Sequence, residues 1–200
     1  MAEAEQPERL RGGREVTVDD VRQLVASATP HFAYQIRNRI RTLVKDPALS
    51  VDPRAEALLY AAARAQLVAE RLVPLLDAGR WVLLDRFVDS SLAYQGAGRA
   101  LGVDAVRAIN AFGTAGLVPD RTLLLRVDAA TRDTRRSVRG EAPDRLEQED
   151  GTFFAAIGAA YDDLAAAEPG RFRVIEAGAA PGAVLAAAVT ALADLLPSGA

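Results

Sequence analysis

Two hydrophobic periods alternate along this chain, one helical and one strand-like. The stretch "EVTVDDVRQLVASA" reads as a short extended piece followed by a helix capped near Thr17 or Asp19. "FAYQIRNRIRTLVKDP" sets Ile36, Ile40, Leu43 and Val44 on one helical face and stops before Pro47. Residues 53–78 make a long helix rich in Ala, Leu and Arg, opened by Pro53 and followed by Gly79. "WVLLD", at 81–85, is a continuous apolar run of strand length, as expected for a strand buried on both faces of a parallel sheet. Beyond it the pattern predicts a helix over 103–114, a strand over 121–127 and a helix over 129–138. A charge-dense loop, "RGEAPDRLEQED", leads to a helix over 150–167, a strand over 172–177 and a last helix from about 181 to 195. Strands alternating with helices mean a parallel α/β sheet with right-handed crossovers.

Composition narrows the classes. Of 200 residues half are hydrophobic and 26% charged, which suits one globular domain able to bury a core. A net charge of −3 gives no basic field for unspecific nucleic-acid binding. The absence of cysteine rules out disulfides and thiolate metal sites and fits a reducing cytoplasm. No apolar run reaches the ~18 residues of a membrane span, and the polar start, MAEAEQPERLRGGREV, lacks the apolar region of a secretion signal. Lys45 is the one lysine among 24 basic residues; the rest are arginine.

The densest chemistry lies in "WVLLDRFVDSSLAYQGAGRALG", residues 81–102. In open parallel sheets ligands sit beyond the carboxyl ends of strands, where Asp85 and Arg86 stand. A guanidinium there can grip phosphate oxygens bidentately. The carboxylate beside it can hold a water on Mg²⁺. Ser91, Tyr94 and Gln95 add a hydroxyl, a ring and an amide that could read a base or sugar, and Ser90 a further hydroxyl. A serine nucleophile has only His31 as a possible base, outside this segment, and nothing in the spacing supports a triad.

These residues carry a family resemblance. "DRFVDSSLAYQGAGRALG" resembles the DR(Y/F/H)xxSxxAYQGxGR signature of bacterial thymidylate kinases. "IRTLVKDP", "RAEALLYAAARAQLV", "GLVPDRTLLLRVD" and "RGEAPDRLEQED" resemble further segments of that family in the same order. The resemblance runs from about Ile36 to the C-terminus, leaving 1–35 as a non-matching N-terminal segment and 36–200 as the thymidylate-kinase-like domain. It implies a three-layer, P-loop-NTPase-like parallel sheet with flanking helices and strand order 2-3-1-4-5. The activity implied is phosphoryl transfer from ATP to dTMP, giving dTDP for dTTP biosynthesis, in a cytoplasmic homodimer.

Carried over by position, the resemblance places Arg86 on the dTMP phosphate, with Asp85 supporting Mg²⁺ indirectly. It puts Tyr60 against thymine, Arg64 on a thymine carbonyl, and Ser91, Tyr94 and Gln95 around the nucleoside. Arg136, Arg139 and Arg145 would cover the ATP phosphates, with Asp144 and Glu147 holding the lid or the substrate. Ala177 and Gly178 fall where the family touches adenine. Two positions depart from the family pattern: Ala63 stands where an Asp often precedes the thymine-contacting Arg, and Arg126 where an Asp is usual.

One family element is not found in these residues. No GxxxxGK[ST] loop occurs among them, and Lys45 sits in the wrong segment to serve one. The expectation is a sheet without its first, central strand and P-loop, and an impaired or inactive kinase as the chain stands. "REVTV" is the one stretch that could fill the central slot, but it is short, charged and barely apolar. A non-catalytic nucleotide-binding or regulatory protein derived from the family is the alternative.

Overall fold

The longest helical stretch is set by local signals at both ends. Asp52 accepts the Arg54 N–H at 2.9 Å, Pro53 occupies the first helical position, and Gly79 ends the run at φ +69°. The computed structural model describes residues 34–139 and 144–195; the "REVTV" piece, the helix near Thr17, His31 and most of segment 1–35 lie outside them. Between those two signals lie α2 (Pro53–Leu67), a π-helical turn (Val68–Leu72) and α3 (Val73–Asp77). The expected single helix is therefore widened in its middle.

Ahead of it, α1 (Tyr34–Lys45) packs on α2. Val44 of α1 is wholly buried, but Ile36 and Leu43 are exposed. The expected four-residue core face is thus cut to its C-terminal end. Among the described residues α2 is α1's principal partner.

A larger departure falls at 81–84. No strand is formed there; among the described residues the sheet has two strands, β1 (Thr122–Arg126) and β2 (Phe172–Glu176), parallel and in register from Thr122 with Phe172 to Arg126 with Glu176. Residues 81–84 still alternate. Val82 and Leu84 pack toward Val68, Leu72 and Phe87, while Trp81 and Leu83 remain 45% and 52% exposed. A parallel strand is held by the ladder on its flank. With no flanking strand among the described residues, the apolar period survives and the ladder hydrogen bonding does not. Burial on one face replaces the expected burial on two.

After that segment come α4 (Val88–Ser91), a π-helical stretch (Leu92–Gly98) and α5 (Val103–Thr114). Beyond β1 lie α6 (Ala129–Arg139) and α7 (Gly151–Ala167), whose N-cap Asp150 accepts from the Phe153 amide at 2.9 Å. The closing α8 (Pro181–Thr190) is shorter than expected; residues 191–195 run on in tighter i→i+3 turns. Leu92, Val106, Leu164 and Phe172 form the core between the π stretch, α5, α7 and β2.

The sheet is tied to this helical core by a polar cluster. The Arg171 guanidinium grips both oxygens of buried Asp89 at 2.8 Å each and donates to the Thr122 hydroxyl at 2.8 Å, while Thr122 donates to Asp89 at 2.9 Å. Glu168 takes the Nε edge at 2.7 Å, and the ring of Phe172 lies 4.5 Å beneath the guanidinium. The first residue of β1 and the residue before β2 are thereby bonded to α4. Removing the cation would leave Asp89 as an unpaired buried charge. Arg171→Met is expected to lower stability by about 3–5 kcal/mol, read as a shifted urea midpoint at unchanged m-value; a shift below about 1 kcal/mol would show the cluster to be incidental.

Candidate functional site

The turn that ends 81–84 places the candidate phosphate-gripping residue in an unusual backbone state. Arg86 has φ +64°, a left-handed conformation that side chains with a Cβ rarely adopt. Such strain, about 1 kcal/mol or more, persists where the surroundings enforce it. They do so here: the Arg86 guanidinium lies 5.1 Å over the Tyr94 ring, and Asp85 stands exposed beside it.

The π-helical stretch that follows turns its polar side chains inward. Arg99 N–H reaches back five residues to the Tyr94 carbonyl at 2.9 Å, and the small residues Ala93, Gly96, Ala97 and Gly98 permit the wider turn. At Gly98 a Cβ would stand 2.7 Å from the Phe153 ring, so only glycine lets α7 approach this closely. Tyr94 meets Phe153 edge-on at 6.1 Å, and Phe153 meets Phe154 at 5.4 Å. Tyr60 and Tyr161 pack on the same cluster, built on Ala93, Leu146, Phe153, Ile157 and Ala160. The result is an aromatic wall next to a guanidinium. That combination suits a planar base joined to a phosphate.

Arg64 braces the turn from α2. It donates to the Phe87 carbonyl and the Ser91 hydroxyl, both at 3.1 Å, and to Asn110 Oδ1. Asn110 is itself fixed by donating to the Val106 carbonyl at 2.8 Å. Buried Gln95 donates to the Glu56 carboxylate at 2.8 Å. Burial, then the nearby Glu56 carboxylate, pushes the Tyr60 phenol up to about 12, so that ring stays neutral at physiological pH. Burial likewise raises the phenol of Tyr161, which bonds the Ser90 hydroxyl at 2.9 Å.

Of the residues singled out in the sequence, Tyr60, Arg64, Arg86, Ser91, Tyr94 and Gln95 come together here. Arg145 reaches the edge of this group, donating to the Val44 carbonyl at 2.7 Å and to Glu56. Glu147 accepts the Asp144 N–H at 3.2 Å, closing a turn. Ala177 and Gly178 lie apart at the end of β2, where the Ala177 carbonyl accepts from Arg135 at 2.8 Å. Arg136 and Arg139 fall outside the residues whose side chains are described. Glu56, Asp89, Arg99, Asn110, Phe153 and Tyr161 were not singled out from the sequence. Arg99 is the last fixed position of the quoted signature, and the i,i+4 spacings Glu56–Tyr60–Arg64 and Gln95–Arg99 were a further signal.

Comparison with known proteins bears on the family of the chain. The family profile described as Thymidylate kinase matches residues 20–187, beginning upstream of Ile36. A thymidylate kinase of Rhizorhabdus wittichii is 46% identical over 160 residues, covering 78% of this chain and 76% of that protein. One from Deinococcus radiodurans is 52% identical over 139 residues, covering 70% and 67%. A third, from Halorhodospira halophila, is 48% identical over 145 residues, covering 72% and 67%.

One edge of the site titrates. Burial opposes the charge of Asp144, but the Lys45 ammonium and the amides of Glu147 and Leu146 outweigh it and hold the carboxyl below its ordinary 3.8. A depressed carboxyl contributes stability above its unfolded pKa and loses it as pH falls through the folded value. Wild type should therefore exceed Asp144→Asn by about 1 kcal/mol near neutrality, with the gap closing below about pH 4. Thermal melts from pH 7 down to 3 check this, and a pH-independent gap would contradict it.

Proposed function

The chain belongs to the thymidylate kinase family, a class of nucleoside monophosphate kinases, and from that premise we propose that residues 81–102 with α2 bind dTMP as phosphoryl acceptor. The carrying observation is the strained Arg86 stacked on Tyr94 beside the aromatic wall. Arg86 takes the 5′-phosphate. The faces of Tyr60 and Tyr94 hold the thymine and deoxyribose. Arg64 and Ser91, already bonded to each other, present donors to the base, and Gln95 closes the pocket. Leu58 on α2 and Phe112 on α5 stand exposed, and we place the expected homodimer contact on those helices.

The donor side is ATP with Mg²⁺. Among the described residues no three of His, Cys, Asp or Glu gather to hold a metal. That suits an ion carried mostly by phosphate oxygens and water, with Asp85 on its hydration shell. When bound, Mg²⁺ neutralises charge on the phosphates. Arg136 and Arg139 of α6 are the proposed phosphate contacts, and Ala177 and Gly178 the proposed adenine contacts. Phosphoryl transfer depends on positioning and charge stabilisation, in which a phosphate loop and its lysine take a leading part. These 200 residues contain no GxxxxGK[ST] motif, and their one lysine, Lys45, is ion-paired with Asp144. We therefore propose that the chain as given binds the acceptor but transfers phosphate poorly or not at all. A non-catalytic, nucleotide-binding role is the second reading, favoured by the same missing loop.

Calorimetry with dTMP, dCMP and AMP, paired with an ADP-release assay, separates these readings. The expected outcome is binding of dTMP alone among the three, weakened at least tenfold in Arg86→Ala, with little ADP release. Turnover of dTMP by this chain would overturn the proposed need for the missing loop; failure to bind dTMP would overturn the acceptor assignment.

A further inference from the structure

Glu56 is the most deeply enclosed charge described, with no exposed surface, yet nothing assigned so far uses it. A carboxylate has about four acceptor positions, and this one meets four donors. Gln95 Nε2 at 2.8 Å and Arg99 Nε at 3.4 Å approach one oxygen; Arg99 Nη2 at 3.2 Å and Arg145 Nη2 approach the other. The donors come from two segments distant in sequence, 95–99 and 145. Neither arginine ends there. Arg99 also pairs with Glu149 at 2.6 Å and lies 4.9 Å over the Phe153 ring; Arg145 Nε donates to the Val44 carbonyl of α1 at 2.7 Å.

A continuous set of contacts leads from this carboxylate to the ligand-facing groups. Glu56 holds Arg99, Arg99 covers Phe153, Phe153 meets Tyr94 edge-on, and Tyr94 carries Arg86 on its face. Separately, an ionised carboxylate only accepts, so the Gln95 amide nitrogen must face it and the amide has one orientation. Along α2, Tyr60 and Arg64 follow Glu56 at four-residue steps on the same side of the helix.

We propose that Glu56 is a positioning residue for the acceptor nucleotide: its carboxylate locks Gln95, Arg99 and Arg145 together and thereby sets Tyr94 and Arg86 for dTMP. This rests on the dTMP reading of the site. A charge that merely stabilised the core would alter the folded fraction and leave the affinity of folded molecules unchanged.

The test is a double-mutant cycle in dTMP affinity, measured by calorimetry at a temperature where circular dichroism shows each variant folded. Glu56→Gln and Arg145→Met should each weaken dTMP binding about tenfold, and the double variant no further than the weaker single. Arg145→Lys, which keeps the ion pair, should restore most of the affinity, and it keeps the cycle readable if Arg145→Met does not fold. Hydrogen exchange supplies a readout without ligand. In Glu56→Gln the amides of 92–99 and 144–148 should exchange faster while those of 172–176 stay unchanged. If wild type takes up no dTMP but this exchange pattern holds, the acceptor reading fails and the organising role of Glu56 stands. Additive affinity losses, unchanged affinity in folded variants, or exchange that rises uniformly or not at all would overturn the proposal.

Discussion

A carboxylate taken out of water must bring donors with it, and two acids in this chain do so from opposite ends of one short segment. Asp89 draws Arg171 and Thr122 to the start of residues 88–99, and Glu56 draws in Gln95 and Arg99 at its end. Ser91, between them, is held by Arg64. Unpaired, either acid would cost several kcal/mol. The requirement to satisfy both fixes the segment against the beginnings of the strands at one end and against α2 at the other. Every ligand-facing group proposed on residues 86–95 inherits its position from those two anchors.

The choice of cation follows from the same requirement. Arg171 serves Asp89 through two parallel bonds while its Nε edge serves Glu168, and Arg99 spans Glu56 and Glu149 over an aromatic face. A planar fork of five donors can do this, and a single ammonium cannot. The near-absence of lysine, visible in composition alone, is thus consistent with a fold whose polar joints are many-armed. The one lysine forms a single ion pair with Asp144.

Much of the fold was legible because period and punctuation agree locally. The spacing for 103–114 matches α5, the Pro53 and Gly79 signals bracket α2 to α3, and "RTLLLRV" and "FRVIEA" each contain a strand. What could not be read were properties that depend on a neighbour. "WVLLD" has strand composition but no flanking strand among the described residues; nothing within the segment reports that, and only the expectation of a sheet without its central strand pointed to an unpaired edge. The face of α1 looked like core because its apolar residues recur at helical spacing, yet of the four Val44 is buried, Ile40 half-buried, and Ile36 and Leu43 exposed. In the candidate site, Arg86 and Tyr94 stood in one dense local motif and Arg64 in a second segment of the family resemblance. Glu56 and Asp89 were not legible, because an acid in a helix or turn looks solvent-facing until its arginines arrive from 43 and 82 residues away.

The geometry of the proposed acceptor site therefore does not rest on a strand ladder at 81–84 among the described residues. Residues 81–84 lack a ladder, but the turn they lead into is clamped from other directions: Arg64 on the Phe87 carbonyl, Tyr94 under Arg86, Asp89 on Arg171. Strain at φ +64° can be kept only if such contacts over-determine the backbone. Helices and buried ion pairs supply them here. Donor binding is different in kind, since a phosphate loop holds its ligand by backbone amides displayed between a strand and a helix. Acceptor recognition rests on side chains held in three dimensions, donor recognition on a local run of backbone. A chain can carry the first without the second, and that separation is what makes the proposed binding without turnover physically coherent.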